Sequence, residues 1–203
     1  MFDARPRRRP GPVPGSGSAI LLLLTLVLGA GCAAKPATQD SSWPRDRAEI
    51  SGIPLFPQEA YQCGPAALAT VLVHFGDVVT PEEIAGEVFS SHRRGSLSLD
   101  LVLYARTRGF SAQWFKGEIA DLTESVLAGE PLIVMVDNGV LGVSTFHFLV
   151  LTGYGPEGVV VHDGGPEKSV IPWSRFIRSW ERTDSWTLRI RPEAHSHRSM
   201  GPS

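Results

Sequence analysis

The sequence predicts a single domain of the α+β class, with helices mostly in its first half and strands in its second. The chain has 203 residues, 42% of them hydrophobic, which is enough for one core of ordinary size. Apolar residues recur at helical spacing in several segments between residues 63 and 128, whereas short apolar runs bounded by turn residues dominate after residue 131. Helices followed by strands, rather than alternating with them, favour an α+β domain.

The first 31 residues have the features of a targeting segment. A basic, proline-rich start precedes Ala19–Leu28, an apolar run of about ten residues that is too short to span a bilayer as a helix. The small residues before Cys32 then resemble the lipobox of bacterial lipoproteins, although Gly29 stands where leucine is usual. The resemblance implies cleavage before Cys32 and lipidation of that cysteine. The alternative is a plain secretory signal whose cleavage site contains Cys32.

A lipidated cysteine would anchor the chain to a membrane surface without spanning it. Ala33, rather than aspartate, follows Cys32, which by the usual sorting pattern indicates the periplasmic face of the outer membrane in a bacterial cell envelope. Residues 32–48 are polar and carry prolines, so we predict a tether there. We then expect a folded domain over residues 49–191 and a disordered tail over residues 192–203.

Charge and motifs exclude several classes of function. The net charge is −2, and the chain without its first 31 residues carries −5, because that segment holds four arginines and one aspartate. A mildly acidic domain lacks the basic field that nucleic acid requires, so we expect no nucleic-acid partner. The sequence has no P-loop, no dinucleotide fingerprint and no Cys/His cluster of metal spacing. We therefore expect neither a cofactor nor a metal.

Cys63 stands where a helix begins. Apolar residues recur at helical spacing after it up to Phe75, Gly76 follows as a stop, and Pro65 suits a first helical turn. The positive end of the helix dipole and its unpaired N–H groups lower the pKa of a thiol at that position. If Cys32 carries lipid, Cys63 has no disulfide partner. The position favours a nucleophile over the alternative of a small buried apolar residue.

Four further helices are predicted from caps, breakers and periodicity. Thr80 and Glu83 form a capping box around Pro81, which begins a helix that ends near Val88. The others cover Ser98–Arg108, Glu118–Ala128 and, as a short helix, Trp173–Trp180.

The predicted strands are apolar runs that turn residues separate. They cover Phe110–Phe115, Leu132–Val136, Phe146–Tyr154, Val159–Asp163, Ser169–Ile171 and Trp186–Ile190. Four tryptophans are expected in the core rather than on a ligand platform: Trp114, Trp173, Trp180 and Trp186.

The segment from Gln58 to Leu72, with glutamine shortly before Cys-Gly-Pro-Ala-Ala-Leu, is similar to the nucleophile region of papain-like cysteine peptidases. More narrowly, it resembles the bacteriocin-processing, double-glycine leader peptidases, over roughly Ile50 to Ile190. The resemblance implies a papain-like fold, with the nucleophile helix in an N-terminal helical half and the catalytic His and Asp on a C-terminal antiparallel sheet. It also implies a glutamine in the oxyanion hole. Gln58 is the first candidate and Gln62 the second.

Two of the six histidines are candidates for the base. His147 begins an apolar strand after a glycine-rich loop, and the family places its histidine at the head of such a strand. His162 and Asp163 are adjacent in an extended segment, so their side chains should point to opposite faces of the sheet. We therefore interpret His162 as structural. The other four histidines are excluded as the base. His74 lies on the nucleophile helix but too far from Cys63, His92 lies in a loop, and His195 and His197 lie in the polar tail.

Asp163 is the candidate that would orient His147. It ends the strand after His147, and a hairpin turn between the two strands would bring both residues onto neighbouring strands. A carboxylate there can hold the imidazole in the required tautomer. In the family a proline often follows this residue at once, whereas two glycines follow it here. Asp137 is the rival, but its position before Asn138-Gly139 is typical of a turn residue.

These observations predict a lipid-anchored cysteine peptidase that acts on peptides or proteins. Cys63 would attack, His147 would carry the proton, Asp163 would orient His147, and Gln58 would stabilise the oxyanion. One alternative is an amidase or an acyl or peptidyl transferase with the same triad. The other is a non-catalytic binding lipoprotein on the same scaffold.

Overall fold

The computed structural model describes residues 43–57, 63–90, 95–96 and 98–193. The signal segment, Cys32, both candidate oxyanion glutamines and the polar tail after residue 193 lie outside the described residues. Within the part that is described, no helix is both long and apolar enough to cross a membrane.

Five helices are described, at the positions that caps and periodicity indicate. They are α1 (Cys63–His74), α2 (Pro81–Val88), α3 (Ser98–Thr107), α4 (Ile119–Leu127) and α5 (Trp173–Glu181). The capping box at α2 is formed: the Glu83 N–H donates to the Thr80 hydroxyl and the Glu83 carboxylate accepts the Thr80 N–H. The local sequence therefore sets where these helices begin and end.

Nine strands are described, seven of them in one antiparallel sheet. They are β1 (Ala48–Glu49), β2 (Phe89–Ser90), β3 (Gly95–Ser96), β4 (Phe110–Lys116), β5 (Leu132–Asp137), β6 (Phe146–Gly155), β7 (Gly158–His162), β8 (Ser169–Pro172) and β9 (Trp186–Pro192). The order in the sheet is β4-β9-β5-β6-β7-β8, with β1 on β6, while β2 and β3 form a separate hairpin. The predicted α+β class is confirmed.

Two cores cover the two faces of the sheet, and the period of two along the strands separates them. Phe148 and Val150 of β6 face α1, α2 and α3, whereas Leu149 and Leu151 face α4 and α5. Small residues at Gly64, Ala66, Ala67 and Ala69 let α1 pack closely, and the helix is buried from Gly64 to Leu72. The sheet thus holds the start of α1 against the start of β6.

The fold differs from the sequence predictions at Trp114, at the end of the predicted tether and at the β2–β3 hairpin, which the sequence did not indicate. Trp114 was expected in the core, but it is 55% exposed: it follows the buried Phe110 and Ala112 on the same face of the edge strand β4, where the cover of that face has ended; that prediction is wrong. The other three tryptophans are buried as expected. The end of the predicted tether is structured: Trp43 stacks on Trp173, and Ala48 pairs with Tyr154 of β6.

Candidate active site

Cys63 is the first residue of α1 and the one cysteine among the described residues. Its side chain is half-buried and packs against the helical core, so the thiol lies at a rim rather than in open solvent. The position at the N-terminus of a buried helix is the one that the sequence predicts.

His147 is the second residue of β6, and its imidazole forms a hydrogen bond with the Cys63 thiol. The residues of β6 that follow His147 are buried. Their packing fixes the strand and thereby the position of the imidazole at its start. The structure therefore joins the predicted nucleophile and the predicted base, although 84 positions separate them in the sequence.

The second contact of His147 fixes its tautomer. Its Nε2 lies 3.1 Å from the main-chain carbonyl oxygen of Asp163. A carbonyl can only accept, so Nε2 carries the hydrogen, and Nδ1 is the nitrogen that remains for the thiol of Cys63. A neutral imidazole in this orientation presents a lone pair to the S–H group, which is the arrangement that a general base requires.

The pKa values of the pair shift in opposite directions. Burial opposes ionisation of Cys63, but hydrogen bonds from the His147 side chain and from the main chain of Phe148 and Gly64 outweigh it and lower the thiol pKa. Burial likewise opposes the charge on His147, but the hydrogen bond and the charge of Cys63 outweigh it and raise the imidazole pKa. Both shifts favour a thiolate–imidazolium pair.

The carboxylate of Asp163 bonds to its own loop rather than to His147. One oxygen accepts the Gly165 N–H and the other accepts the Ser169 hydroxyl, both at 3.1 Å. The predicted hairpin is present, because β6 and β7 pair antiparallel. Asp163 does meet His147 as expected, but through its main-chain oxygen, while the carboxylate shapes the loop and acts on the imidazole only through its charge.

Asp137 has the role of a turn residue, as its sequence context indicates. The buried carboxylate accepts the N–H groups of Gly139 and Thr145, both at 2.8 Å, and pairs with Arg182 at 3.1 Å. Hydrogen bonds from these N–H groups keep its pKa below the usual range. Asp137 thus holds the ends of the loop that leads into His147.

His162 pairs with Val150 across the β6–β7 hairpin, so it lies on the sheet face that packs against α1, whereas Asp163 lines the cavity on the other face. The side chain is 3% exposed, and its Nε2 lies 3.1 Å from the main-chain carbonyl oxygen of Phe56. Its Nδ1 makes no hydrogen bond within the described residues. His74, which the sequence analysis excluded as the base, lies on α1, and its Nε2 is 3.0 Å from the carbonyl oxygen of Gly129.

A cavity of about 310 Å³ lies beside His147, on the sheet face that carries α5. Its lining includes Asn138, Asp163, Ser169 and Arg175. No group of three or more potential metal-ligating side chains is found within the ranges described.

The sequence analysis did not predict the main-chain contacts that the Cys63 thiol makes. The main chain of Phe148 and Gly64 bonds to Cys63. The Gly64 contact follows from the helix start, because first-turn N–H groups have no partner in the helix. No signal in the sequence indicates the Phe148 contact, because it depends on how β6 packs against α1.

Comparison with known proteins gives a consistent result. Residues 50–187 match the Peptidase_C39 like family. An uncharacterized protein of Methanothermobacter marburgensis is 40% identical over 68 residues, which cover 34% of this chain and 47% of that protein, so the match spans about half of its length.

Two solved structures share the fold. A putative C39-like peptidase from Bacillus anthracis has a TM-score of 0.60 at 20% identity and covers 72% of this chain and 98% of its own. A double glycine motif protease from an AMS/PCAT transporter, solved with its leader peptide, has a TM-score of 0.58 at 27% identity. That alignment covers 73% of this chain and 97% of the protease.

Proposed function

This chain belongs to the Peptidase_C39 like family, and on that basis we propose that it is a cysteine peptidase in which Cys63 is the nucleophile and His147 the base. The observation that carries the proposal is the Cys63–His147 hydrogen bond, with the thiol pKa lowered and the imidazole pKa raised. A buried structural cysteine would instead have a raised pKa, because burial alone disfavours the thiolate.

In the proposed reaction, the Cys63 thiolate adds to the scissile carbonyl and forms the Sγ–C bond, while the π electrons move to the carbonyl oxygen. Collapse of this intermediate expels the amine, which takes the proton from Nδ1 of His147, and leaves a thioester. Water then attacks the thioester as Nδ1 accepts its proton, and the carboxylic acid and the thiolate are released.

The oxyanion needs donors that do not move during the reaction. We assign these to the N–H of Cys63, at the start of α1, and to the side chain of Gln58, with Gln62 as the second candidate. Removing one such donor typically costs about 3 kcal/mol of transition-state stabilisation, or roughly 10²-fold in rate. The main-chain carbonyl of Asp163 holds His147 in the tautomer that the reaction requires.

The substrate class and the cellular place extend the same proposal. The structural relative with 27% identity is a double glycine motif protease bound to a leader peptide. We therefore propose that this chain cleaves peptides after small residues. Lipidation at Cys32, which rests on the lipobox resemblance, would hold the domain at the periplasmic face of the outer membrane.

The test is release of 4-nitroaniline from a panel of synthetic peptide 4-nitroanilides that end in Gly-Gly. The wild-type chain should release it, and Cys63→Ser and His147→Ala should not. His74→Ala is the matched control, because it removes a histidine that also bonds to a main-chain carbonyl but lies away from the site. Its rate should stay within about twofold.

Mass spectrometry of the products with an added amine separates hydrolysis from transfer. A carboxylic acid product supports the peptidase, whereas an amide of the added amine would indicate a transferase. Release that persists in Cys63→Ser would contradict the proposal. So would a wild-type chain that neither releases 4-nitroaniline nor forms a thioester with 4-nitrophenyl acetate.

A further inference from the structure

A cavity lies on the far side of His147 from the thiol, and the proposed reaction gives it no role. Its volume is about 310 Å³, and His147 and Asp163 are among the residues that line it, whereas Cys63 is not. Nδ1 of His147 faces Cys63 and Nε2 faces the main chain of Asp163, so the imidazole lies between the thiol and the cavity. The cavity is therefore separate from the catalytic pair but adjacent to it.

The sheet edge and one helix place polar and charged groups around this cavity. Asn138 follows β5, His147 is the second residue of β6, and Asp163 follows β7. Since β6 pairs with both β5 and β7, His147 lies between the other two residues, which are about 10 Å apart at the usual strand spacing. Arg175 and Ser179 line the cavity from α5, which covers this face of the sheet.

Arg175 brings to the cavity a positive charge that is not paired among the described residues. Its side chain takes part in no ion pair and no hydrogen bond there. Arg182, directly after the same helix, instead pairs with Asp137 at 3.1 Å and donates to the carbonyl of Gly139 at 3.0 Å. A guanidinium presents its N–H groups in a planar fork that matches a carboxylate. The fork of Arg175 is thus available to a ligand.

The other donors at the cavity favour the same kind of ligand. The Ser169 hydroxyl donates to the Asp163 carboxylate, and the Ser179 hydroxyl donates to main-chain carbonyls of α5. Each hydroxyl has one hydrogen, so neither can donate to a ligand at the same time. The side-chain amide of Asn138 makes no hydrogen bond within the described ranges, so it remains as a second donor beside Arg175. Two available donors, one of them charged, favour an anionic acceptor.

The rest of the lining limits where such an anion binds and how large it is. The Asp163 carboxylate also lines the cavity and repels an anion next to it, which favours binding at Arg175 and Asn138. Val170 and Ile171 supply apolar surface for the methylene groups of a ligand. Ligand pockets begin at about 300 Å³, so this cavity suits one side chain or one chain end rather than a long segment.

The proposed reaction indicates which part of a substrate reaches the cavity. The acyl part of the peptide becomes bonded to Cys63, while the leaving amine takes its proton from His147. The residues that precede the cut therefore stay with Cys63, and those that follow it pass His147. Because the cavity adjoins His147 and not Cys63, it lies on the path of the residues after the cut.

From this arrangement we propose that the cavity is a specificity site for a carboxylate on the part of the substrate that follows the cut, and that Arg175 binds this carboxylate. The inference rests on the proposed function and adds a substrate preference to it. The carboxylate has two sources: the side chain of an aspartate or glutamate, or the terminal carboxylate of a short leaving peptide. Both present the same planar, bidentate acceptor to the guanidinium.

Two sets of peptides with Gly-Gly before the cut test the preference, with cleavage followed by liquid chromatography. Peptides of the first set are amidated at the C-terminus and carry glutamate or glutamine at the first, second or third position after the cut. Peptides of the second set end two residues after the cut, either in a free carboxylate or in an amide. The readout is the ratio of kcat/KM for the charged peptide to kcat/KM for its neutral partner, in which general effects on the thiol or the fold cancel.

The wild-type chain should favour the carboxylate in at least one set by about tenfold, as expected for a charged hydrogen bond. Arg175→Gln should bring this ratio close to one, whereas Arg175→Lys keeps the charge and should retain part of the preference. Arg178→Gln is the matched control, because Arg178 is exposed on the same helix but is not among the residues that line the cavity. Its ratio should equal that of the wild-type chain.

The outcomes distinguish this inference from the function on which it rests. Cleavage with a ratio near one in both sets, a preference that survives in Arg175→Gln, or an equal loss of preference in Arg178→Gln would overturn the role of Arg175. A preference in the first set supports the inference with a side chain as the source, and one in the second set supports it with the chain end.

Failure of the proposed function has a different signature. The full chain with Cys32→Ser, in which Cys63 is the only thiol, would cleave no peptide of either set. Its Cys63 would also react slowly with iodoacetamide, and His147→Ala would make no difference. That result would overturn the function and the inference with it.

Discussion

Replacing Asp163 with asparagine tests which of its atoms orients the base. The change removes the negative charge but keeps most of the hydrogen bonds: the amide oxygen can still accept the Gly165 N–H, and the amide nitrogen can donate to the Ser169 hydroxyl. The bond from Nε2 of His147 to the main-chain carbonyl of Asp163 does not involve the side chain at all.

The expected loss is therefore small. What disappears is the charge of a half-buried carboxylate, which contributes less to the raised pKa of His147 than the hydrogen bond and charge of Cys63. A charge interaction in a partly solvated site amounts to about 1 kcal/mol, which corresponds to roughly fivefold in rate. In a triad where the carboxylate sets the tautomer, the same change costs about 10⁴-fold.

The assay is the acylation rate with 4-nitrophenyl acetate, measured beside the thermal melting temperature. Asp163→Asn should lose no more than about tenfold. Asp163→Ala should lose more, because the acceptors for Gly165 and Ser169 disappear and the loop that sets the carbonyl direction loosens. A loss of 10³-fold or more in Asp163→Asn with an unchanged melting temperature would refute the reasoning and assign the role to the carboxylate.

Three other predictions concern the loop, the pH profile and stability. Gly139→Ala should lower acylation more than about tenfold, because its methyl group would overlap the carbonyl of Val143 in the loop before the base; Gly86→Ala, which meets no atom, is the control and should raise stability by about 1 kcal/mol. Peptide hydrolysis should follow a bell-shaped pH profile, rising through the lowered thiol pKa and falling through the raised imidazole pKa, and a rise centred near pH 8.5 would contradict this. Arg108→Ala should cost about 0.5 kcal/mol at pH 7 and nothing well below pH 4, since Arg108 lowers the pKa of Asp77 and the contribution disappears as that carboxyl is protonated; thermal melting at both pH values checks it.

The elements that carry the site could be predicted because their signals are local. Pro65 and the periodicity after it mark the start of α1, and the turn at Gly155-Pro156-Glu157-Gly158 marks the β6–β7 hairpin. Alternation along β7 also places His162 on the opposite face from Asp163. The pairing of Cys63 with His147 rested instead on the family resemblance and on the exclusion of the other histidines, because no local signal relates α1 to β6.

The remaining features depend on contacts that no local pattern encodes. Whether the carbonyl or the carboxylate of Asp163 meets His147 is set by the direction in which the chain leaves β7. Trp114 shares its face of β4 with the buried Phe110 and Ala112, so its exposure depends on how far the helical cover extends along the strand, which alternation alone does not indicate. His162 was interpreted as structural, and its partner Phe56 lies 106 positions away.

The pairing of Cys63 with Nδ1 of His147 is tested most directly by the pH dependence of iodoacetamide alkylation in the chain with Cys32→Ser. An activated pair should react rapidly well below the free-cysteine pKa of about 8.5, and His147→Ala should shift the profile toward that value. A profile that titrates near 8.5 in both chains would contradict the account and leave Cys63 an ordinary thiol.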